Sequence, residues 1–245
     1  MRLIYLSPHL DDAVLSAGGW LYEQARHGLP VEVWTLMSGF PPEEAVSNFA
    51  RQLHEKWGVT RATEAVRLRR MEDLAATARL ALLPVHFDFL DCIYRRDARG
   101  EPLYPQDVFV PPHPADQELP DRIADLLKRR LQPEDRVACQ LGIGSHVDHR
   151  LVRRAAERLS RPLIYLADLP YLFDHPAELP IHTAGMQKQL YEISKAGLTS
   201  WLEAIEAYRS QLPTLFKSPE QMQQSYRRYL LEQGGFPTWQ VNAEK

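Results

Sequence analysis

Cysteine is scarce in this chain, with only Cys92 and Cys139 present. Two are too few for a disulfide framework, and they lack the C-x-x-C spacing of a thiolate zinc site. A reducing, cytoplasmic setting is the expectation. A run of about 18 apolar residues, which a membrane span requires, is also missing. The opening residues reach Pro8 and His9 too soon for the apolar stretch of a signal peptide, so the chain is expected to start here and stay off the membrane. Positive charge is not in excess: 29 Lys and Arg face 32 Asp and Glu, a net charge of −3. That leaves no basic footprint to neutralise phosphates, and nucleic acid is not an expected partner. Repeats, low-complexity tracts and charged tails are absent too, which argues against an appended module. Gly18-Gly19 fall inside the first expected helix rather than in a strand-to-helix G-x-G-x-x-G turn, so a nucleotide-binding reading has little support.

What is there is the ordinary mixture of a globular protein: 44% hydrophobic and 25% charged residues over 245 positions, enough for one domain with a substantial core. Residues 2–7 read as a strand, followed by helical spacing to about 28, where Gly28 stops it. Further strands are expected at 31–38, 85–90, 136–141 and 163–168, with helices at about 62–82, 120–131 and 148–159 between them. This alternation predicts an α/β fold, a Rossmann-like three-layer αβα sandwich with a mostly parallel sheet. Residues 93–119, rich in proline, read as a long substrate-side lid. Two late helices, 198–211 and 219–232, follow; the Trp201, Leu202, Ile205 and Tyr208 stripe on the first reads as core packing.

Ligands of open α/β sheets bind beyond the carboxyl ends of the strands. Two clusters fall at such ends: His9, Asp11 and Asp12 after the first strand, and His146, Asp148 and His149 after the fourth. A catalytic zinc takes three protein ligands and keeps an open position for water. His9 and Asp12 can turn toward one point, and a histidine of the second cluster would complete the set. Asp11 is then left beside the metal water to act as general base. Taken singly, Asp11, Asp12 or Asp148 could merely cap a helix; the joint occurrence of His-x-Asp-Asp and His-x-Asp-His favours a metal hydrolase. Iron(II) suits such a site as well as zinc.

These residues resemble the motifs of the PIG-L and LmbE-like family of zinc-dependent N-acetylglucosaminyl deacetylases. The first motif, Pro-His-Pro-Asp-Asp-Glu, is matched by Pro8-His9-Leu10-Asp11-Asp12-Ala13, and the later one by His146-Val147-Asp148-His149. Weaker likenesses lie at Thr35–Gly39, at Arg69-x-x-Glu72 and at Tyr208–Gln211. The resemblance implies that His9, Asp12 and His149 bind the metal and that Asp11 is the base. It implies further that His146, oriented by Asp148, stabilises the oxyanion and protonates the leaving amine. Arg69 matches a sugar-contacting position, with a buried Arg69–Glu72 pair as the competing reading; Asp91, Tyr94 and Arg95 are further candidates for substrate contact. Leu10 and Ala13 depart from the motif at positions that are not ligands. The implied substrate is a small amino-sugar conjugate bearing an N-acyl group, a homo-oligomer is left open, and a non-catalytic metal- and sugar-binding protein is the rival reading.

Overall fold

A computed structural model describes residues 1–42 and 46–241. In chain order the elements are β1 (Leu3–Ser7), α1 (Asp12–Arg26), β2 (Val31–Thr35), α2 (Asn48–Lys56), α3 (Ala62–Arg79), β3 (Leu83–His86), α4 (Leu119–Arg130), β4 (Arg136–Gln140), α5 (Val147–Glu157) and β5 (Leu163–Leu166). They continue with α6 (Tyr171–Asp174), α7 (Glu178–His182), β6 (Met186–Tyr191), α8 (Lys195–Ile205), α9 (Leu212–Leu215), α10 (Pro219–Gln233) and β7 (Phe236–Val241). Among the described residues, no helix is long and apolar enough to cross a membrane.

The strands form one sheet in the order β3-β2-β1-β4-β5-β7-β6. The first five are parallel, and β7 runs antiparallel to both β5 and β6. Helices α1, α3 and α8 pack together, as do α4 and α5, so the sheet is layered on both faces. Central parallel strands covered on both faces must be apolar throughout; every residue of β1 is buried. From β1 the chain winds outward to β2 and β3, then returns to lay β4 on the other side of β1. The gap between the β1 and β4 loops is the topological switch point, where such folds hold their ligands.

Gly18 and Gly19 serve helix packing. A Cβ on Gly18 would lie 2.5 Å from Cδ1 of Trp201, and one on Gly19 2.6 Å from its Cε3. The buried indole of α8 thus rests directly on the backbone of α1, and its Nε1 donates to the carbonyl of Val14 at 2.6 Å. A second tie runs from Glu23 of α1, which accepts from the amide and hydroxyl of Ser194 at 2.9 and 2.6 Å.

Several boundaries differ from the expectation. The third strand is Leu83–His86 rather than 85–90, and the fifth ends at Leu166. The first late helix is displaced to Lys195–Ile205, because Ser194 caps it by accepting from the amide of Gly197. β6 and β7 were not anticipated: the middle of β6 is exposed and polar, and β7 carries Pro237. Residues 93–119 are more built than a plain loop. They hold 3-10 turns at Cys92–Tyr94 and Pro114–Asp116 and bury Tyr94, Leu103 and Tyr104. The amide of Val147 donates to the carbonyl of Val108 at 2.9 Å, which pins this segment to the start of α5.

Candidate active site

His9 follows β1, Asp12 opens α1, and His149 lies in the first turn of α5, so neighbouring strand ends deliver all three. Asp12 stands between the rings: its Oδ2 is 3.2 Å from His9 Nδ1 and its Oδ1 is 3.3 Å from His149 Nε2. Ligands sharing a tetrahedral ion at 2.0–2.1 Å are separated by roughly 3.3 Å. The opposite nitrogens are already engaged. His149 Nδ1 is 2.8 Å from Asp168 Oδ1, and His9 Nε2 is 3.0 Å from Asp148 Oδ2. A carboxylate can only accept, so Asp148 and Asp168 each hold a ring proton on the outer nitrogen, and the inner nitrogens that face Asp12 are the ones free to exchange a second proton for a metal. Facing a carboxylate, those nitrogens call for positive charge, a proton or a metal ion, and His149 Nε2 is buried with no hydrogen-bond partner. The donor set therefore fits a divalent ion.

The electrostatics agree. Burial alone would depress the imidazole of His149, but Asp12 and Asp168 outweigh it and lift the pKa to about 9. His9 is likewise raised, against its burial, by Asp91, Asp12 and Asp148. Burial opposes ionisation of Asp12, yet the two histidines hold it well below the usual carboxylate range. Three buried groups thus converge on a position that favours positive charge.

Ligand atoms of His9, His146 and His149 fall within 4.8 Å of one another, whereas Asp12 meets the two rings through different oxygens, so distance alone does not select Asp12. The tautomer does. His146 is the N-cap of α5, and its Nδ1 accepts from the amide of Asp148 at 3.2 Å. Its proton therefore sits on Nε2, leaving no lone pair for a metal. Burial and the neighbouring His9 and His149 push its pKa well below the ordinary imidazole value. At neutral pH it is an uncharged N–H donor at the cavity wall.

Asp11 occupies the N-cap position of α1 but makes no capping hydrogen bond, so the helix does not consume it. Its Oδ2 lies 3.4 Å from Arg69 Nη2. Burial raises its pKa and Arg69 holds it back, leaving it at about 6. Arg69 also approaches Asp91 Oδ2 at 3.6 Å and packs its guanidinium 5.1 Å from the ring centre of Trp57. It does not pair with Glu72. That carboxylate instead accepts from the amide and hydroxyl of Ser210 at 2.8 and 2.6 Å, while Tyr208 donates to Asp73 at 2.8 Å. These bonds clamp the Tyr208–Gln211 segment onto α3 and bring Gln211, Thr214 and Leu215 to the cavity.

The cavity measures about 730 Å³ and is lined by His9, Asp11, Asp12, Arg69, Asp91 and His146 at its polar end. Phe49, Leu53, Trp57, Val108 and Phe109 supply an apolar wall. Tyr94 and Arg95 are absent from this lining, contrary to the expected substrate contacts. The hydroxyl of Tyr94 meets His54 Nε2 at 2.6 Å, and Arg95 is buried against Asp116 and Asp148. Asp148 also departs from its expected role: its carboxylate makes no hydrogen bond to His146 and engages His9 instead.

Asp168, the partner of His149, was missed, although it stands just past β5 and the same strand-end logic applies to it. Tyr171 was missed as well. Its ring packs against both His146 and His149, and a Cβ on Gly144 (φ 80°) would fall 2.9 Å from its own Cβ.

Comparison with known proteins places this geometry. A teicoplanin deacetylase solved in a zinc-inhibited form is 30% identical, covering 100% of this chain and 99% of that one with a TM-score of 0.84. The deacetylase of A40926 pseudoaglycone is 28% identical over 99% of each chain, with a TM-score of 0.73. The 2'-N-acetylparomamine deacetylase of Niallia circulans is 28% identical over 196 residues, 70% of this chain and 68% of that protein. These relatives share the deacetylase chemistry that the two motifs imply. The profile of PIG-L, GlcNAc-PI de-N-acetylase, matches residues 4–160, and the chain belongs to this family of amide-cleaving deacetylases.

Proposed function

We propose that the protein removes an N-acetyl or other N-acyl group from a glucosamine-type amino sugar, with zinc held by His9, Asp12 and His149. The observation that carries this reading is the pair of imidazole nitrogens turned on one carboxylate, with Asp11 alongside. Two nitrogens and an oxygen suit zinc, and iron(II) is the alternative occupant. When bound, the ion supplies a polarised carbonyl and an acidified water.

The remaining work belongs to the chain. Asp11 takes the proton of the attacking water, and a pKa near 6 keeps it ionised at neutral pH yet basic enough to do so. The Nε2–H of His146 donates to the oxygen on which charge develops, and the proton gathered by Asp11 is available for the departing amine. Arg69 and Asp91 hold the sugar. The cavity exceeds what one acylated pyranose fills, so the apolar wall is read as the seat of an aglycone. Segment 93–119 forms part of that wall, and the clamp on Tyr208–Gln211 supports a single domain across 1–245. Two buried free cysteines suit a reducing cytoplasm.

The test is a panel of N-acylated amino sugars, free and conjugated, assayed for released carboxylate with zinc-loaded and chelated protein. Turnover should require the metal and favour conjugates with apolar aglycones. Tight sugar binding without acyl release by the loaded protein would reverse the reading in favour of a binding protein.

A further inference from the structure

Asp148 is fully buried, and its two oxygens are divided between two partners. Oδ1 is 2.6 Å from Arg95 Nη2, a close ion pair set off the hydrogen-bond axis. Oδ2 accepts from the amide of Cys92 at 3.0 Å and from His9 Nε2 at 3.0 Å. Arg95 is held from its other side, where Nε donates to Asp116 Oδ2 at 2.9 Å and Nη1 to the carbonyl of Leu90 at 3.0 Å. The ring of Tyr104 lies 5.4 Å from the guanidinium, and Tyr104 donates to Asp116 at 2.7 Å. Arg95 does not line the cavity, so it has no route to substrate.

We propose that Arg95 is a positioning residue that acts on the metal ligand His9 through Asp148. A carboxylate has no preferred rotation between its oxygens, but its neighbours here are all donors: Arg95 on one side, Cys92 N–H and His9 Nε2–H on the other. Arg95 supplies the counter-charge that lets Asp148 stay buried as an acceptor. Asp148 in turn keeps the proton of His9 on Nε2, and Nδ1 is left to bind. Such outer contacts fix the tautomer and aim of a ligating histidine, and their loss lowers metal affinity by roughly 10–100-fold. Segment 93–119 therefore helps prepare the metal site, in addition to shaping the cavity.

The inference rests on His9 being a metal ligand, as in the proposed function, but its test needs no substrate. Two quantities are read on the full chain: zinc affinity by competition with a chromophoric chelator, and the His9 tautomer by nitrogen NMR of the metal-free protein in the alkaline range, where the ring has given up its second proton. Arg95→Met should weaken zinc roughly 10–100-fold and scramble the His9 tautomer, while Arg95→Lys recovers part of the affinity. Asp148→Asn should reverse the tautomer, because Arg95 demands the amide oxygen and leaves the amide N–H facing His9. Adding Arg95→Met to Asp148→Asn frees that amide to turn, so the double variant should bind zinc more tightly than Asp148→Asn alone; a merely structural arginine would make it worse.

Asp116→Asn cuts the other ion pair of Arg95 and should leave zinc affinity near wild type. Equal losses in Asp116→Asn and Arg95→Met would overturn the proposal, as would an unmoved tautomer. If Arg95→Met does not fold, Asp148→Asn decides alone, and Nε2–H retained on His9 in that variant would refute it. Zinc bound without release of any acyl group would unseat the proposed function and leave this inference standing. Normal deacylation with an unmoved tautomer would do the opposite.

Discussion

Nδ1 of His149 lies 2.8 Å from Oδ1 of Asp168, and this contact determines which nitrogen of the ring faces Asp12. Asp168 uses its second oxygen to accept from the amide of Ile143 at 2.9 Å, so the strand end and the metal-side loop are locked by one residue. Asp168→Ala should reduce zinc affinity roughly 10–100-fold and also leave the Ile143 amide unpaired, at a stability cost of about 1–3 kcal/mol. Chelator competition and urea denaturation read the two effects separately. Undiminished zinc affinity in Asp168→Ala would show that the contact does not prepare the site.

Asp12 and His146 make opposite predictions because only Asp12 offers its oxygens to the inner nitrogens of both rings. Asp12→Ala and His149→Ala should purify without stoichiometric metal. His146→Ala should retain the metal and lose turnover by about 10²–10³-fold, the typical effect of removing one donor to an oxyanion. Metal analysis beside steady-state kinetics checks this. Zinc lost from His146→Ala and kept by Asp12→Ala would point to the three-histidine grouping instead.

The acid limb of the pH profile should belong to Asp11. As a base it works only when ionised, so turnover should fall as pH drops through about 6 and level off above that value. Arg69 supplies the charge that holds this carboxyl down. Arg69→Met should therefore shift the limb to higher pH, and a limb that stays in place would dissociate Arg69 from Asp11. Asp11→Asn should keep its metal and lose about 10²–10⁴-fold in turnover.

The glycine pair of α1 predicts a stability effect remote from the chemistry. Gly19→Val must displace the indole of Trp201, whose Cε3 lies 2.6 Å from where the new Cβ would sit. Overpacking of this kind costs about 1–3 kcal/mol, readable as a lower urea midpoint, with metal content per folded molecule unchanged. An unshifted midpoint would mean that α8 can slide without penalty.

The parts legible in the sequence were those where neighbouring residues carry their own pattern. β1, β2 and β4 are short apolar runs beside helices of clear spacing, and the two His/Asp clusters sit at their ends. β6 escaped because an edge strand with an exposed, polar middle shows neither alternation nor a continuous apolar run. Tyr94 and Arg95 looked like substrate contacts because polar side chains near a motif carry no sign of direction. Only the packed segment reveals that Asp116 and Asp148 claim the guanidinium. Asp148 was read as the partner of His146, its neighbour two positions earlier in the chain, yet it is the start of α5 against β1 that brings it to His9, 139 positions away. Contacts of that separation are set by topology and leave no local trace.

The clamp of Ser210 on Glu72 and of Tyr208 on Asp73 has an evolutionary consequence. The residues proposed to bind the ion and to act as base lie within the stretch matched by the family profile, 4–160, whereas Gln211, Thr214 and Leu215 reach the cavity from beyond it. Part of the cavity lining is thus carried on a different length of chain from the proposed catalytic residues, joined to it by a few bonds to one helix. Exchange of residues between Leu212 and Phe216 would re-tailor what is admitted to the cavity while the reaction inside proceeds unaltered.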